Sequence, residues 1–126
     1  MKEVMAVIRM NMMGKTKDAL AEAGIVSMHG VACLGRGKGL VNLALLEGAE
    51  KGYEEAATQL GLGGKLIPKR MVSIIVPDKM VKKAVETLIK VNKTGKSGDG
   101  KIFVLPVSDS IRIRTGESGQ VTLDGA

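Results

Sequence analysis

The segment Gly35-Arg36-Gly37-Lys38-Gly39 combines three glycines with two cationic side chains. Glycine lets backbone N–H groups turn toward an anion because no Cβ stands in the way, while Arg36 and Lys38 supply full positive charges. The arginine guanidinium can also hold a phosphate in a bidentate fork. The segment is not a Walker loop, since neither Ser nor Thr follows its Gly-Lys pair and the spacing differs. Taken alone, it fits a flexible hairpin with two solvated cations equally well.

A second segment with phosphate-binding chemistry spans residues 94–101 and reads TGKSGDGK. Here Gly98, Asp99 and Gly100 can present successive N–H groups as an anion-binding nest, and Lys101 follows directly. A plain turn is the ordinary alternative for such a stretch.

A third segment contains Arg112 and Arg114, separated by Ile113. In an extended chain this spacing sends both guanidinium groups to one face, although a solvated edge strand would explain it too. Three such segments in one short chain favour a common ligand, because together they would surround a triphosphate.

The composition agrees with a phosphate ligand and limits its type. The chain has 126 residues, enough for one domain with one core. It carries 19 Lys and Arg against 13 Asp and Glu, and 17 glycines, about twice the usual share. Its aromatic residues are Tyr53 and Phe103, too few to stack on unpaired bases, which argues against single-strand binding. Duplex binding by charge alone, as in a basic nucleic-acid-binding regulator, stays open.

Other classes of function find little support in the sequence. No apolar run approaches the ~18 residues of a membrane span, and the first residues lack a signal-peptide pattern, so a cytoplasmic protein is expected. One cysteine, Cys33, and one histidine, His29, cannot form a zinc-type cluster. No general base or metal-binding carboxylate pair is visible, so we expect no enzyme; weak ATP hydrolysis is the alternative.

The first half of the chain has the periodicity of strand, helix and strand. In Glu3–Arg9, apolar residues occur at both odd and even positions, as in a strand covered on both faces. A helix is predicted to follow, capped by Asn11 and ended by Gly24. Ile25–Leu34 and Leu40–Leu46 are further apolar runs that favour strands. The predicted inward stripe of the helix consists of Thr16, Ala19, Leu20 and Ala23.

The second half begins with a long connection. Glu47–Leu66 is interrupted by five glycines and predicts a mobile loop, because structureless connections of this length are usually functional or disordered. Ile67–Val76 predicts a strand, and Asp78 the cap of a second helix. The inward stripe of that helix is predicted to comprise Val81, Ala84, Val85, Leu88 and Ile89. A last core strand at Ile102–Val107, a short strand at Ile111–Thr115 and a weakly ordered tail at about 117–126 are also predicted.

These elements predict an α+β protein with a ferredoxin-like βαββαβ sandwich and both helices on one face of the sheet. The other face would then be bare, and Met5, Val7, Ile74 or Ile102 on it would need a cover. Association of subunits through their sheets would cover this face without a further element of the chain.

The loop sequences carry a specific resemblance. Residues 94–104, TGKSGDGKIFV, and 112–117, RIRTGE, resemble the C-terminal signature of the PII nitrogen-signalling proteins. Residues 19–25, ALAEAGI, and the glycine-rich loop at 35–39 resemble that family's first helix and nucleotide loop. The similarity covers nearly the whole chain, a single domain over 1–126, except Glu47–Leu66 and the last few residues.

The resemblance implies a trimer with ATP or ADP in the clefts between neighbours, and it assigns residues to that cleft. The phosphate loop would contain Gly35, Arg36, Gly37 and Lys38. The opposite loop would contain Gly98, Asp99, Gly100 and Lys101. Arg112 and Arg114 would reach phosphate or ribose from the neighbouring subunit. The adenine pocket would be lined by Ser27, Met28 and His29.

The resemblance also implies 2-oxoglutarate as an effector beside Mg²⁺ and ATP, at positions 37 and 38 and at Lys69. The family usually has glutamine between the Arg and Lys of the first loop, where its side chain helps to hold Mg²⁺ and 2-oxoglutarate. Gly37 offers no side chain for this contact.

The long loop, about residues 40–66, is the effector loop of the family. Residues 46–51 read LEGAEK where enterobacterial relatives have Tyr-x-Gly-Ala-Glu-Tyr, so the usual uridylylated hydroxyl is missing and Tyr53 is a displaced candidate. An enlarged, altered loop resembles the archaeal nitrogenase-regulating branch, in which two PII-like paralogues inhibit dinitrogenase together. This implies a homotrimer or a hetero-oligomer with a second paralogue, and a nitrogenase component as target.

Overall fold

A computed structural model describes residues 1–37 and 66–124 and contains one four-stranded antiparallel sheet with two helices on one face. The strands are β1 (Lys2–Arg9), β2 (His29–Gly35), β3 (Ile67–Val76) and β4 (Lys101–Pro106), in the order β2-β3-β1-β4. The helices are α1 (Met13–Glu22) and α2 (Val81–Asn92). This is the predicted ferredoxin-like arrangement. The predicted strand Leu40–Leu46 and the predicted mobile loop, except for Leu66, lie outside the described residues.

The core lies between the sheet and the helices. On β1, Val4, Ala6 and Ile8 are buried, and the antiparallel register sets Val4 opposite Ile74 of β3. The core is completed by the buried apolar residues of the two predicted helix stripes: Leu20, Ala84 and Leu88. The prediction that Ile74 and Ile102 lie on the bare face is wrong, because side chains on paired strands share a face and these two face the helices.

The end of α1 follows the sequence prediction, whereas its start does not. Gly24 has φ +88°, the Gly24 N–H donates to the Ala21 carbonyl, and the Ile25 N–H donates to the Leu20 carbonyl. This pair of bonds is a Schellman motif, which needs the left-handed conformation that glycine adopts readily. The predicted cap Asn11 lies instead inside a 3₁₀ turn, Met10–Met12, and α1 begins without a side-chain cap.

The start of α2 also differs from its predicted cap. Asp78 lies in a 3₁₀ turn, Asp78–Met80, that precedes the helix, and no side chain caps α2. The Asp78 carboxylate instead pairs with the amino group of Met1 at 3.0 Å and with Lys2 Nζ at 3.1 Å. Its charge therefore ties the start of β1 to the turn after β3.

The region after β4 contains a turn where a strand was predicted. Ile111 forms an isolated bridge with Ser118, and the Gly116 N–H donates to the Arg112 carbonyl at 2.7 Å. Ile111–Thr115 is therefore not an extended strand. Residues 117–124, predicted to be weakly ordered, include the 3₁₀ turn Gln120–Thr122 and are hydrogen-bonded to the body of the chain.

No helix among the residues described is long and apolar enough to cross a membrane.

A buried polar pair joins the two helices. Asn92 Nδ2 donates to Thr16 Oγ1 at 3.1 Å and to the Leu88 carbonyl at 3.0 Å. Thr16 Oγ1 in turn lies 2.7 Å from the Met12 carbonyl, to which it donates. Both side chains are buried, so the Asn92 amide depends on Thr16 Oγ1 as one of its two acceptors.

We expect Thr16→Val to lower the free energy of unfolding by about 1–3 kcal/mol, because it leaves the buried Asn92 amide without one acceptor. Urea unfolding followed by circular dichroism measures this loss. Thr87→Val is the matched control, since Thr87 makes a similar bond to the Lys83 carbonyl within its own helix and at an exposed position. Equal losses in the two variants would contradict a special role for the buried pair.

Candidate functional site

A large cavity of about 450 Å³ lies on the sheet where residues of all four strands meet. It brings together the first glycine loop, a lysine of β3 and the second glycine loop, which are far apart in sequence. The lining residues assigned from sequence are Gly35, Arg36, Gly37, Lys69, Gly98, Gly100 and Lys101. A volume within about 300–1,000 Å³ is typical of small-molecule sites.

The register of the sheet creates this cavity. Arg9 at the end of β1 is paired with Lys69 of β3, and Val7 is paired with Lys101 of β4. On the next strand, Cys33 of β2 is also paired with Lys69. Side chains at paired positions lie on the same face, here the one away from the helices. The cavity is therefore built on the bare face of the sheet.

The cavity is positively charged. Arg36, Lys69 and Lys101 line it, and no carboxylate of the described part of the chain does. The Lys69 Nζ lies 3.4 Å from the Gly98 carbonyl oxygen, a long hydrogen bond that directs the ammonium group toward the second loop. Three cations and two glycine loops at one cavity are suited to an anion with several charged oxygens.

Asp99 holds the second loop in shape instead of lining the cavity. Its Oδ1 accepts from the Arg9 Nη1 at 2.7 Å, and its Oδ2 accepts from the backbone N–H groups of Thr94 at 2.8 Å and Gly95 at 3.0 Å. Hydrogen bonds from the Thr94 hydroxyl and N–H, then from Arg9, hold the pKa of the Asp99 carboxyl far below its usual range. The only acid of the loop is thus directed away from the cavity.

Three glycines of this loop have backbone conformations that other residues rarely adopt. Gly95 has φ +84°, Gly98 has φ +93° and Gly100 has φ +111°. A Cβ on Gly100 would lie 1.9 Å from the Val7 carbonyl oxygen, so the loop can approach β1 only with glycine here. At Gly37, by contrast, a Cβ would meet nothing within 4 Å.

The residues predicted to bind adenine lie elsewhere. Ser27 and His29 line a second cavity of about 170 Å³, whose wall is completed by Ser110 and by the tail residues Thr122, Leu123 and Asp124. Met28 does not line it and packs against the core.

The predicted arginines of the third segment line neither cavity. Arg112 Nη1 pairs with Glu117 Oε1 at 2.6 Å, and Arg112 Nη2 donates to the Val121 carbonyl at 3.2 Å. Arg114 is exposed. Lys38, predicted to contact phosphate, lies outside the described residues.

Sequence reasoning missed Arg9 and the lining residues Val7, Ser97 and Phe103. Arg9 donates to Asp99 and, through Nη2, to the Ser97 carbonyl at 3.0 Å, so it organises the second loop. Phe103 lines the cavity beside Lys101. Phe103 could have been predicted from the alternation of side chains along β4, since Phe103 follows Lys101 by two residues and therefore lies on the same face. No local signal marks Arg9, because its partners are about 90 residues away.

The described residues fit a polyphosphate better than a metal ion held by side chains. No group of three or more His, Cys, Asp or Glu within 1–37 and 66–124 could hold a metal. The cavity offers cations and backbone N–H groups, the donors that bind phosphate oxygens. Mg²⁺ would therefore arrive coordinated by phosphates, with little help from these residues.

Comparison with known proteins points to one family. Residues 1–117 match the family model of the nitrogen regulatory protein P-II. The nitrogen fixation nifHD region GlnB-like protein 2 of Methanobacterium ivanovii is 43% identical, with 95% of this chain and 97% of the relative covered. The protein of the same name from Methanothermococcus thermolithotrophicus is 44% identical, with 98% of each covered.

The fold agrees with these matches. A crystal structure of Arabidopsis thaliana PII bound to citrate superposes with a TM-score of 0.71 at 29% identity, covering 98% of this chain and 88% of that one. The predicted resemblance is therefore confirmed, including its link to nitrogen fixation, since the methanogen relatives carry that term in their names.

We expect Asp99→Asn to lower the Tm at pH 7, because the loop loses the charged acceptor shared by Arg9, Thr94 and Gly95. Since folding lowers the pKa of Asp99, its contribution is complete above the unfolded pKa of about 3.9 and declines as pH falls below that value. The Tm difference between the two proteins should therefore narrow from pH 5 to pH 2.5. Thermal unfolding across this range measures it.

Asp18→Asn, on the exposed face of α1, is the control for loss of one negative charge. A Tm difference for Asp99→Asn that stays constant down to pH 2.5 would contradict the assigned role of the carboxylate.

Proposed function

Since the chain belongs to the P-II family of nitrogen regulatory proteins, we propose that it senses nitrogen status by binding ATP or ADP between the subunits of a trimer. Members of this family are regulators, not enzymes, and form trimers. The observation that carries the proposal is the cavity that joins Arg36, Lys69 and Lys101 to two glycine loops. Its charge and its donors suit a nucleotide polyphosphate.

The chain's own residues would divide the work of binding. Arg36 and Lys101, from opposite sides of the cavity, would hold phosphate oxygens, together with Lys38 of the first loop. Backbone N–H groups around Gly98 and Gly100 would add uncharged donors, in a loop that Asp99 and Arg9 already hold in shape. Because contacts within the chain already hold the loop in shape, the loop loses little conformational entropy when a ligand binds.

The bare face of the sheet supports assembly with further copies. Apolar side chains of all four strands lie on it, and Val31 and Phe103 are about half exposed, at 56% and 46%. Met5, Val7 and Met71 lie between them on the same face. A patch of this kind needs a cover. In the proposed trimer, one subunit's large cavity would face the Ser27–His29 segment and the arginines Arg112 and Arg114 of its neighbour.

We propose 2-oxoglutarate as a second effector near Lys69. The resemblance places it beside Mg²⁺ and ATP, and Lys69 lines the cavity with its ammonium group directed at the second loop. Because position 37 is glycine, the effector would lack the glutamine contact usual in the family. A paralogue that carries this glutamine in a mixed trimer would supply it.

The proposed target is a nitrogenase component, contacted by the segment at about 40–66. The names of the methanogen relatives, which refer to the nitrogen fixation nifHD region, support this choice. Catalysis is not part of the proposal, since no carboxylate of the described residues lines the large cavity to act as a general base.

We expect Lys101→Ala to weaken Mg-ATP binding about tenfold or more, because it removes a charged donor from the lining of the cavity. Isothermal titration calorimetry on the assembled protein measures the change. Lys96→Ala is the matched control: it removes the same charge from the same loop, at an exposed position that does not line the cavity.

Absence of Mg-ATP binding, or equal effects of the two substitutions, would overturn the proposed site. Sustained phosphate release would indicate an enzyme instead. Salt-sensitive DNA binding that ignores ATP would indicate a nucleic-acid-binding regulator.

We expect the tagged protein to retain a nitrogenase component from an extract of a nitrogen-fixing host, and to release it when Mg-ATP and 2-oxoglutarate are added together. Immunoblotting for the nitrogenase components measures the retained amount. The Lys101→Ala protein should keep more of the component at the lowest Mg-ATP concentration that releases it from the unsubstituted protein, because the variant binds the nucleotide more weakly. Retention that the effectors leave unchanged would contradict regulation through this site.

A further inference from the structure

Residues near the end of the chain form part of the wall of the second cavity, and several of their contacts are made to residues assigned to the nucleotide. Residues 117–124, here called the tail strap, cross from the Arg112 turn to the start of β2. The strap is bonded at both ends, and each end uses a carboxylate.

At one end, Asp124 binds the segment ahead of β2. Its Oδ2 accepts from the Ser27 N–H at 2.6 Å and from the Val26 N–H at 3.1 Å. These bonds, the Ser27 N–H first, lower the pKa of the Asp124 carboxyl and keep it ionised. Two successive N–H groups converging on one anionic oxygen form a small anion-binding nest, which the protein fills with its own acid.

At the other end, the strap engages Arg112. Glu117 pairs with the Arg112 Nη1 at 2.6 Å, and the Val121 carbonyl accepts from the Arg112 Nη2 at 3.2 Å. A guanidinium group held by a carboxylate is not available to a phosphate until that pair opens. One strap therefore engages both Ser27 and Arg112, which lie 85 positions apart in sequence.

The strap also limits the space at His29. Thr122, Leu123 and Asp124 form part of the cavity wall, and about 170 Å³ remains. Small-molecule sites usually measure about 300–1,000 Å³, so the base and ribose of a nucleotide need more room than the strap leaves. The strap must move for this half of the cleft to be used.

The strap is attached weakly enough to move. Val121 is 58% exposed, and Glu117 and its bonds lie at the surface, where ion pairs contribute little to stability. The regular structure of the strap is limited to the short turn Gln120–Thr122 and the isolated bridge of Ser118 to Ile111, and none of residues 117–124 is buried. Besides these, Thr122 Oγ1 lies 2.7 Å from Ser110 Oγ, and the Gly119 N–H donates to the Ser110 carbonyl at 2.9 Å. Segments with few buried contacts open at low cost.

We propose that the tail strap is an autoinhibitory element: its carboxylates at Asp124 and Glu117 take the positions of ligand anions, and nucleotide binding displaces it. The proposal rests on the proposed function, since it assigns the Ser27–His29 segment and Arg112 to the nucleotide cleft. The apparent nucleotide affinity is then set by the fraction of subunits whose strap is open.

The test compares Asp124→Ala with the full-length unsubstituted protein by calorimetry with Mg-ATP. Binding should become about tenfold tighter, because a site that is closed most of the time gains affinity by the inverse of its open fraction. Asp18→Ala is the control, since it removes the same charge from the exposed face of α1. Glu117→Gln frees Arg112 at the other end of the strap, and it should also strengthen binding.

Hydrogen exchange supplies the second measurement. Exchange of the backbone N–H groups of residues 117–124 should rise when Mg-ATP is added to the unsubstituted protein, because displacement exposes them. Thermal unfolding of each variant verifies that it is folded, and Asp124→Asn replaces Asp124→Ala if that variant is not.

The outcomes separate the two proposals. Unchanged or weaker nucleotide binding in both strap variants, with normal binding by the unsubstituted protein, overturns the strap and leaves the proposed function standing. No nucleotide binding by any variant overturns both. Binding that appears only when the strap is released supports both, as does the expected tenfold gain.

Discussion

The antiparallel register of β1 with both of its neighbours is the constraint on which the rest of the structure depends. The central strand sets Lys69 of β3 beside Arg9 and Lys101 of β4 beside Val7. The same register points Val4, Ala6 and Ile8 into the core. Because side chains alternate along a strand, a slip of one residue would exchange the two faces and remove the core and the charged cavity together.

The placement of charged side chains around the large cavity follows from this register. The cations at the large cavity repel one another, and the apolar contacts of the core do not reduce that repulsion. Asp99, the acid of the second loop, is turned inward to Arg9 and to backbone N–H groups. Gly100 lets the loop that carries Asp99 lie directly on the Val7 carbonyl. The site is thus shaped by contacts within the chain, and among the described residues it is lined by cations and by no carboxylate.

The other residues assigned to the nucleotide show the opposite arrangement. Ser27, in the wall of the second cavity, and Arg112, which lies outside it, are both already bonded to carboxylates of the tail. One half of the proposed cleft is therefore open and positive, and the other is closed by the chain itself. In such a sensor, a ligand displaces the internal contacts only if the free energy of ligand binding exceeds the free energy of the contacts it replaces.

The sequence by itself determined the order of the elements, the helix stop at Gly24 and most of the core stripe, because each depends on local periodicity or on the type of one residue. It also determined the family, through the loop at 94–104 and the turn at 112–117. Local patterns erred where a long-range partner competed for a side chain. Asp78 binds the start of β1 instead of capping α2, and Asn11 lies in a 3₁₀ turn.

Only the tertiary structure decided which segments meet. It joined two of the three phosphate-type segments with Lys69, added Arg9 and Phe103, and held Arg112 in the tail. These pairings follow from strand register and from hydrogen bonds between residues up to 98 positions apart, for which a local sequence pattern contains no signal.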